Sequence, residues 1–213
     1  MEKSKSYLDE LIVRYPVLDS IKEDIMKAYE VLEECYENGN KLLIAGNGGS
    51  ASDAEHIVGE LMKSFIKPRH MEEEFISKLI SCDEQYGKEL GVKLQGGLPA
   101  IALSVHNSLN TAFLNDVDGL LCFAQEVCGY GKEGDVLLGI STSGNAENII
   151  YAAVTARAKG MKVIGLTGKD GGRLRERADT CIIAPEFETY KIQELHLPIY
   201  HTLCLMLEER FFQ

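Results

Sequence analysis

Residues 41–62 read KLLIAGNGGSASDAEHIVGELM, and this stretch decides the fold. The short apolar run Lys41–Ala45 has the length of a strand that is buried on both faces. The glycines that follow allow a sharp turn, and a helix is predicted over Ala51–Met62. A helix N-terminus presents unpaired N–H groups and a partial positive charge. The unit is therefore either a tight strand–helix turn or an anion-binding loop, and it is too short for a P-loop and lacks its lysine.

The rest of the chain repeats this order of strand and helix. An amphipathic helix is predicted over Ser20–Asn38 and another over Asn145–Lys159, which ends just before an apolar run. Such alternation predicts right-handed βαβ units and a parallel sheet, and hence a three-layer α/β/α fold. The other predicted strands are Ala100–Val105, Asp135–Ile140, Lys162–Leu166 and Thr180–Ala184.

Two segments depart from the simple alternation. Ser64–Leu98 is a charged, helical excursion after the first strand–helix unit, which we interpret as an insertion or lid. Tyr190–Phe212 carries apolar residues at helical spacing and predicts a long terminal helix, bent at Pro198. The length of 213 residues and the lack of a linker predict one domain over residues 1–213.

Composition and charge exclude several classes of protein. With 33 acidic and 22 basic side chains the formal charge is −11, which repels nucleic acid and anionic membranes. Met1–Asp9 lacks the apolar core of a secretory signal, so we expect a cytoplasmic protein. The six cysteines form no CxxC pair and are expected to be buried thiols.

A second turn after a strand, Ser141–Asn145, has the sequence STSGN. Three adjacent hydroxyls before a helix are neutral donors suited to a phosphate monoester, whereas an N-cap needs only one of them. Ligands of open α/β sheets bind at the carboxyl ends of strands where the strand order reverses. If the first and third strands flank that point, one phosphosugar contacts both turns.

Four side chains on two helices form a candidate chemical site. His56 and Glu60 are four residues apart and share a helix face. Gln193 and His201 lie on roughly one side of the terminal helix, whereas His196 is rotated away and is expected to pack or face solvent. Two imidazoles, a carboxylate and an amide can hold zinc or act as an acid–base pair, and spacing alone leaves both open.

At these residues the chain resembles sugar isomerase (SIS) domain proteins, and most closely the phosphoheptose isomerases. The similarity runs from about Ile21 to Leu207, apart from Ser64–Leu98. It rests on five motifs in this order: GNGGS at 46–50, HxxxE at 56–60, GISTSGN at 139–145, LTGKDGG at 166–172, and IQELH at 192–196 followed by His201.

The resemblance implies a flavodoxin-like five-stranded parallel sheet and a homotetramer with sites between subunits. It implies conversion of sedoheptulose 7-phosphate into a D-glycero-D-manno-heptose 7-phosphate, with Glu60 as base and His201 as acid. We expect Ser20–Asn38 to help form the interface, since its apolar stripe must be buried. Zinc ligands would be His56, Glu60, Gln193 and His201. Substrate would contact Asn47, Gly48, Gly49, Ser50, Asn115, Asp116, Ser141, Thr142, Ser143 and Gln193.

Three departures from the family pattern concern the substrate. Ala146 replaces a frequent serine, Tyr190 replaces an aspartate, and Ser64–Leu98 is longer than usual. The main alternative is a catalytically silent SIS module that senses sugar phosphates and regulates a partner, as in proteins resembling the bacterial replication-initiation regulator. Such modules lose the residues matching Glu60 and His201, which this chain keeps, so an enzyme is favoured. A phosphosugar lyase or hydrolase is a third alternative.

Overall fold

A computed structural model describes residues 2–212 and has a five-stranded sheet at its centre. All strand pairs are parallel, and the order β2-β1-β3-β4-β5 makes β1 and β3 direct neighbours. The chain order reverses between these two strands, so the switch point of the sheet lies there. The strands are β1 Leu42–Gly46, β2 Ala100–Ala102, β3 Val136–Ser141, β4 Lys162–Thr167 and β5 Thr180–Ile183.

Helices cover both faces of the sheet and give two apolar cores. Along β1, Leu42 and Ile44 face one core, and Leu43 and Ala45 face the other, as a period of two requires. The three-layer α/β/α prediction is confirmed. The helices are α1 Glu2–Arg14, α2 Lys22–Glu37, α3 Gly49–Met62, α4 Glu73–Cys82, α5 Glu84–Lys93, α6 Asn107–Phe113, α7 Cys122–Tyr130, α8 Glu147–Ala158, α9 Gly172–Arg175 and α10 Thr189–Phe211.

The N-terminal part of the chain differs most from the sequence prediction. Helix α1 was not predicted, because charged residues dominate its sequence, yet Leu8 and Leu11 are buried in the core. Helix α2 begins at Lys22, after a 3-10 turn over Pro16–Ile21. The predicted strand at Ala100–Val105 is shorter, because its last three residues turn into a 3-10 helix.

The apolar stripe of α2 is already covered within one chain. Ile25, Tyr29 and Leu32 are buried in the core that Leu42 and Ile44 of β1 face. The stripe is therefore buried, as expected, but within the chain, so it gives no support to an interface at this helix, which stays a prediction.

The cysteines do not all behave as buried thiols. Cys35, Cys122 and Cys204 are buried, whereas Cys82 and Cys128 are exposed on the outer helices. All six cysteines, the partly exposed Cys181 among them, are free. Among residues 2–212 no helix combines the length and the apolar character needed to cross a bilayer.

The insertion at 64–98 is helical, as predicted, and folds as a hairpin of α4 and α5. The close approach of the two helices requires Gly87, since a Cβ there would collide with the backbone at Leu79 and Ile80. A short antiparallel bridge between His70 and Gln95 closes the base of the hairpin.

Candidate active site

The two glycine- and serine-rich turns lie side by side at the carboxyl edge of the sheet. The Asn47 amide donates to Asn148 Oδ1 at 3.0 Å, and the Asn148 amide donates back to Asn47 Oδ1 at 2.8 Å. This reciprocal pair joins the turn after β1 to the first turn of α8. The condition that β1 and β3 flank the switch point, on which the neighbouring turns depended, is met.

The turn after β3 keeps two of its three hydroxyls free of protein partners. Ser143 Oγ accepts the Asn145 backbone N–H at 3.2 Å, so this serine shapes the turn. Within residues 2–212 the hydroxyls of Ser141 and Thr142 form no side-chain hydrogen bond. Gly144 has φ +64°, a conformation that glycine adopts without strain. Ser141 and Thr142 are therefore the hydroxyls of this turn that have no role in shaping it, while the Ser143 O–H can still donate to an anion.

His56, Glu60 and His201 meet between α3 and α10. His56 Nε2 lies 3.2 Å from Glu60 Oε1 and 3.4 Å from His201 Nε2. The second carboxylate oxygen of Glu60 is buried without a hydrogen-bond partner, and the Lys63 ammonium lies 3.6 Å from it. The pairing predicted from the two helices is thus formed in space, with a carboxylate oxygen left free for a further ligand.

Two residues that the sequence analysis did not identify orient His56. The buried Tyr200 hydroxyl donates to Asp53 Oδ1 at 3.2 Å and lies 3.0 Å from His56 Nδ1. This hydroxyl therefore joins the Asp53 carboxylate to the His56 ring and orients the ring with Nε2 toward Glu60 and His201. Asp53 lies one helical turn before His56, which was the available sequence signal. Burial raises the pKa of Asp53.

The two histidines of α10 have different surroundings. Burial, and next the neighbouring His56, lower the pKa of His201, so its neutral form is favoured. Burial lowers the pKa of His196 to about 4, and its Nε2 donates to the Thr167 carbonyl at 3.0 Å. His196 is therefore a core residue that fastens α10 to β4, in agreement with its predicted packing role.

Gln193 brings α10 to the turn after β1. Its amide lies against Gly49 so closely that a Cβ at this glycine would stand 2.7 Å from Gln193 Nε2. The predicted ligand residues Gly48, Gly49 and Ser50 form the start of α3 beside it. The neutral amide is thus placed next to the turn that the sequence predicts to bind the substrate.

Among residues 2–212, Asn115 and Asp116 form no side-chain hydrogen bond to either turn. They lie on the exposed segment that follows α6, where the Asn115 amide donates to Asp116 Oδ1 at 2.8 Å. Within residues 2–212, this is the hydrogen bond that their side chains form. The substrate contact expected of them stays a prediction.

The departures at Ala146 and Tyr190 have plain structural consequences. Ala146 is the N-cap of α8 and supplies no side-chain hydrogen bond, where a serine would supply one. Tyr190 is 57% exposed at the start of α10, and the Lys191 ammonium lies 5.8 Å from its ring centre.

The side chains of His56, Glu60 and His201 carry the types of ligand atom that a divalent ion such as zinc binds. Imidazole and carboxylate are ligands that zinc takes, and donors about 2.1 Å from a tetrahedral zinc lie about 3.4 Å apart. The separations of 3.2 and 3.4 Å around His56 Nε2 agree with this. Across residues 2–212, however, no group of three or more His, Cys, Asp and Glu side chains is already arranged around one metal position. Ion binding would require the side chains to adjust.

Comparisons with known proteins give a consistent result. The SIS domain family matches residues 91–168. Phosphoheptose isomerase of Nitratiruptor sp. is 40% identical over 195 residues, with 92% of this chain and 90% of the relative covered. The enzyme of Aneurinibacillus thermoaerophilus is 37% identical, with 100% and 92% covered. The solved phosphoheptose isomerase of Francisella tularensis has a TM-score of 0.75 at 32% identity and covers 98% and 97% of the two chains.

Proposed function

Because the chain belongs to the phosphoheptose isomerase family of SIS-domain proteins, we propose that it interconverts sedoheptulose 7-phosphate and D-glycero-D-manno-heptose 7-phosphate. The chain is an isomerase of a phosphorylated sugar. The observation that carries the choice of an enzyme over a silent sensor is the contact of Glu60 and His201 with His56, on the helix that begins at the turn after β1. A module that only binds sugar phosphates has no need of a base and an acid there.

Glu60 is proposed to move the proton between carbons. Conversion of the ketose to the aldose removes a proton from C1, forms an enediol and returns the proton to C2. A partly desolvated carboxylate in reach of that C–H bond is a sufficient base. Glu60 has a side chain that is 13% exposed and one oxygen without a hydrogen-bond partner. This oxygen supports the assignment, because it is free to take the proton.

His201 is proposed to move the proton between the two sugar oxygens. Its lowered pKa favours the neutral imidazole, which has one nitrogen to accept and one to donate. The ring can then protonate the developing O2 alkoxide and accept the O1 proton. Tyr200 and Asp53 support this step by holding the His56 ring in place, with its Nε2 3.4 Å from His201 Nε2.

Transfer of solvent deuterium to the substrate tests the proposed function. We expect the purified protein in D2O to produce the aldose from sedoheptulose 7-phosphate with deuterium at C2, and to exchange C1 of the ketose. NMR measures both positions directly. Five- and six-carbon sugar phosphates serve as controls for substrate length. Absence of exchange with every sugar phosphate would leave the sensor alternative as the better account.

The phosphate is proposed to bind the turn Ser141–Asn145 through neutral donors. We expect the double variant Ser141→Ala, Thr142→Val to raise KM at least tenfold and to change kcat less, because both hydroxyls are free of protein partners and would bind the phosphate in ground and transition states alike. Ser143→Ala is the comparison, since its hydroxyl caps Asn145 and its loss should affect stability as well. Unchanged KM in the double variant would move the phosphate elsewhere.

Zinc is proposed to bind to His56, Glu60, His201 and Gln193. Gln193 would be the weakest of these ligands, because its amide is neutral. When bound, zinc would stabilise negative charge on the enediolate oxygens. We expect a chelated protein to lose activity and to regain it when one equivalent of Zn²⁺ is added. Elemental analysis after dialysis gives the content independently of activity. Full activity with no metal present would mean that these residues serve only in acid–base chemistry and substrate binding.

A homotetramer and a cytoplasmic location complete the proposal. Apolar side chains exposed on the segment after α6, Leu114 at 66% and Val117 at 62%, support self-association. Light scattering should give about four times the chain mass of 23.6 kDa. A mass equal to one chain at micromolar concentration would contradict the tetramer.

A further inference from the structure

A second group of buried polar side chains lies on the segment that follows β2 and on α7. Glu126 on α7 is 1% exposed, and neither of its carboxylate oxygens has a hydrogen-bond partner. Asn110 Oδ1, His106 Nε2 and Ser104 Oγ are also buried without partners. Five unpartnered polar atoms over 23 residues of chain are far from the usual state of buried groups, nearly all of which are paired.

The charge of Glu126 is the least balanced feature of this group. In the described chain no lysine or arginine pairs with it, and His106 Nε2 is 3.9 Å from Glu126 Oε2, beyond hydrogen-bond distance. An ionised carboxylate in such surroundings is costly unless a counter-charge is present. Burial raises the pKa of Glu126 to about 7, and the Asn110 side chain, which lies against the carboxylate without a hydrogen bond of normal geometry, opposes this shift. Glu126 therefore either carries a proton or faces a cation.

We propose that Glu126, Asn110 and His106 bind one divalent cation that takes mixed oxygen and imidazole ligands. The donors are a carboxylate with both oxygens free, an amide oxygen and an imidazole nitrogen, and Ser104 supplies a hydroxyl near by in the chain. Two donors each about 2.0–2.4 Å from one ion can stand up to about 4 Å apart, so the 3.9 Å between His106 and Glu126 leaves room for the ion. Such a donor set suits Mn²⁺ or Zn²⁺.

The fold gives this ion a way in and a structural role. The His106 side chain is 30% exposed, so one edge of the site reaches solvent. His106 and Asn110 come from the segment after β2, whereas Glu126 comes from α7. A bound ion would cross-link the two and so hold in place the stretch that continues from Asn110 to Asn115 and Asp116. It would act as a structural ion, separate from the chemistry at Glu60.

Mn²⁺ binding measured by electron paramagnetic resonance tests the proposal. The background is the double variant Glu60→Gln, His201→Ala, which disables the zinc site proposed above. After chelation and dialysis, this protein should bind one equivalent of Mn²⁺, and its Tm should rise as Mn²⁺ is added. Glu126→Gln in the same background should weaken binding at least tenfold, because it keeps the shape and removes the charge. Since activity is not the readout, failure of the proposed isomerase function would leave this result unaffected.

Asn110→Asp gives the opposite expectation and protects the test against a variant that fails to fold. A second carboxylate should tighten Mn²⁺ binding if an ion is held there. If Glu126 instead carries a proton, Asn110→Asp brings two acids together and lowers Tm with no gain in Mn²⁺ binding. A background protein that binds neither Mn²⁺ nor Zn²⁺, together with a Glu126→Gln variant as stable as its parent, would overturn the proposal.

Discussion

Glu60→Gln is expected to lower kcat by about 10²-fold or more, with a much smaller effect on KM. The substitution keeps the size and the hydrogen-bonding shape of the side chain but removes its ability to accept a proton from carbon. Glu60 is suited to this role, because one of its oxygens is buried and unpartnered while the other lies 3.2 Å from His56 Nε2. Exchange of solvent deuterium into the ketose should fall in parallel, since it depends on the same proton transfer.

Glu55→Gln is the matched control for this experiment. Glu55 is on the same helix and is exposed, so the change removes an equal charge without touching the site. We expect wild-type turnover from it. His201→Ala should lower kcat by a similar factor to Glu60→Gln, and the two changes together should cost far less than the product of the single effects, because acid and base act as a unit. A Glu60→Gln protein that turns over at the wild-type rate would remove Glu60 from the mechanism.

Local sequence patterns predicted the parts of the structure that depend on residues close together in the sequence. Each of the five strands lies where an apolar run of strand length was found, and the glycines after the first run marked the turn between β1 and α3. The positions of His56 and Glu60 follow from helical spacing alone. Their grouping with His201 rested on the chemistry of the side chains and was supported by the family resemblance, and the geometry agrees with it.

Contacts between distant parts of the chain were not predictable in this way. The Asn47–Asn148 pair and the Tyr200–His56 contact join residues more than 100 positions apart, and no periodicity encodes them. Helix α1 was missed for a related reason. Its propensity is hidden by charge, and only its packing, through residues such as Leu11, shows which face is apolar.

A buried ion pair that the sequence did not indicate joins the insertion to the end of α10. The guanidinium of Arg69 donates to Glu208 Oε1 at 2.8 Å, and both side chains are almost fully buried. Glu208 also accepts backbone N–H groups at Phe65, Ile66 and Lys67. Both carboxylate oxygens of Glu208 therefore accept hydrogen bonds, and the charge of Arg69 faces one of them.

The same arginine also reaches the helix that carries the proposed base. Arg69 Nη1 donates to the Leu61 carbonyl at 2.6 Å, and Nη2 donates to the Glu60 carbonyl at 2.9 Å. These bonds close the C-terminal end of α3, where the last carbonyls lack partners within the helix. The ion pair thus fixes both the base of the hairpin and the backbone of Glu60.

Arg69→Met is expected to lower the free energy of unfolding by about 3–5 kcal/mol, the usual cost of leaving one partner of a buried pair alone. Glu208→Gln should cost less, because the three backbone donors keep an acceptor. The double variant should be more stable than the sum of the two single changes predicts, since it leaves no unpaired charge. Urea unfolding, monitored by circular dichroism, measures the free energy of unfolding of all three variants. In thermal unfolding, a Tm loss on the order of 10 °C is expected for Arg69→Met.

The pH dependence of stability gives this prediction a readout that packing alone would not move. Burial tends to raise the pKa of Glu208, but the backbone N–H groups and Arg69 outweigh it and hold the pKa below its ordinary value of 4.5. A lowered folded-state pKa means that the stabilisation is complete above pH 4.5 and is lost as pH falls through the folded value. Wild-type protein should therefore lose stability over that acid range, and Glu208→Gln should lose less of it. Equal acid sensitivity in both proteins, or an Arg69→Met variant within 1 kcal/mol or so of wild type, would show that the pair does not hold the insertion to α10.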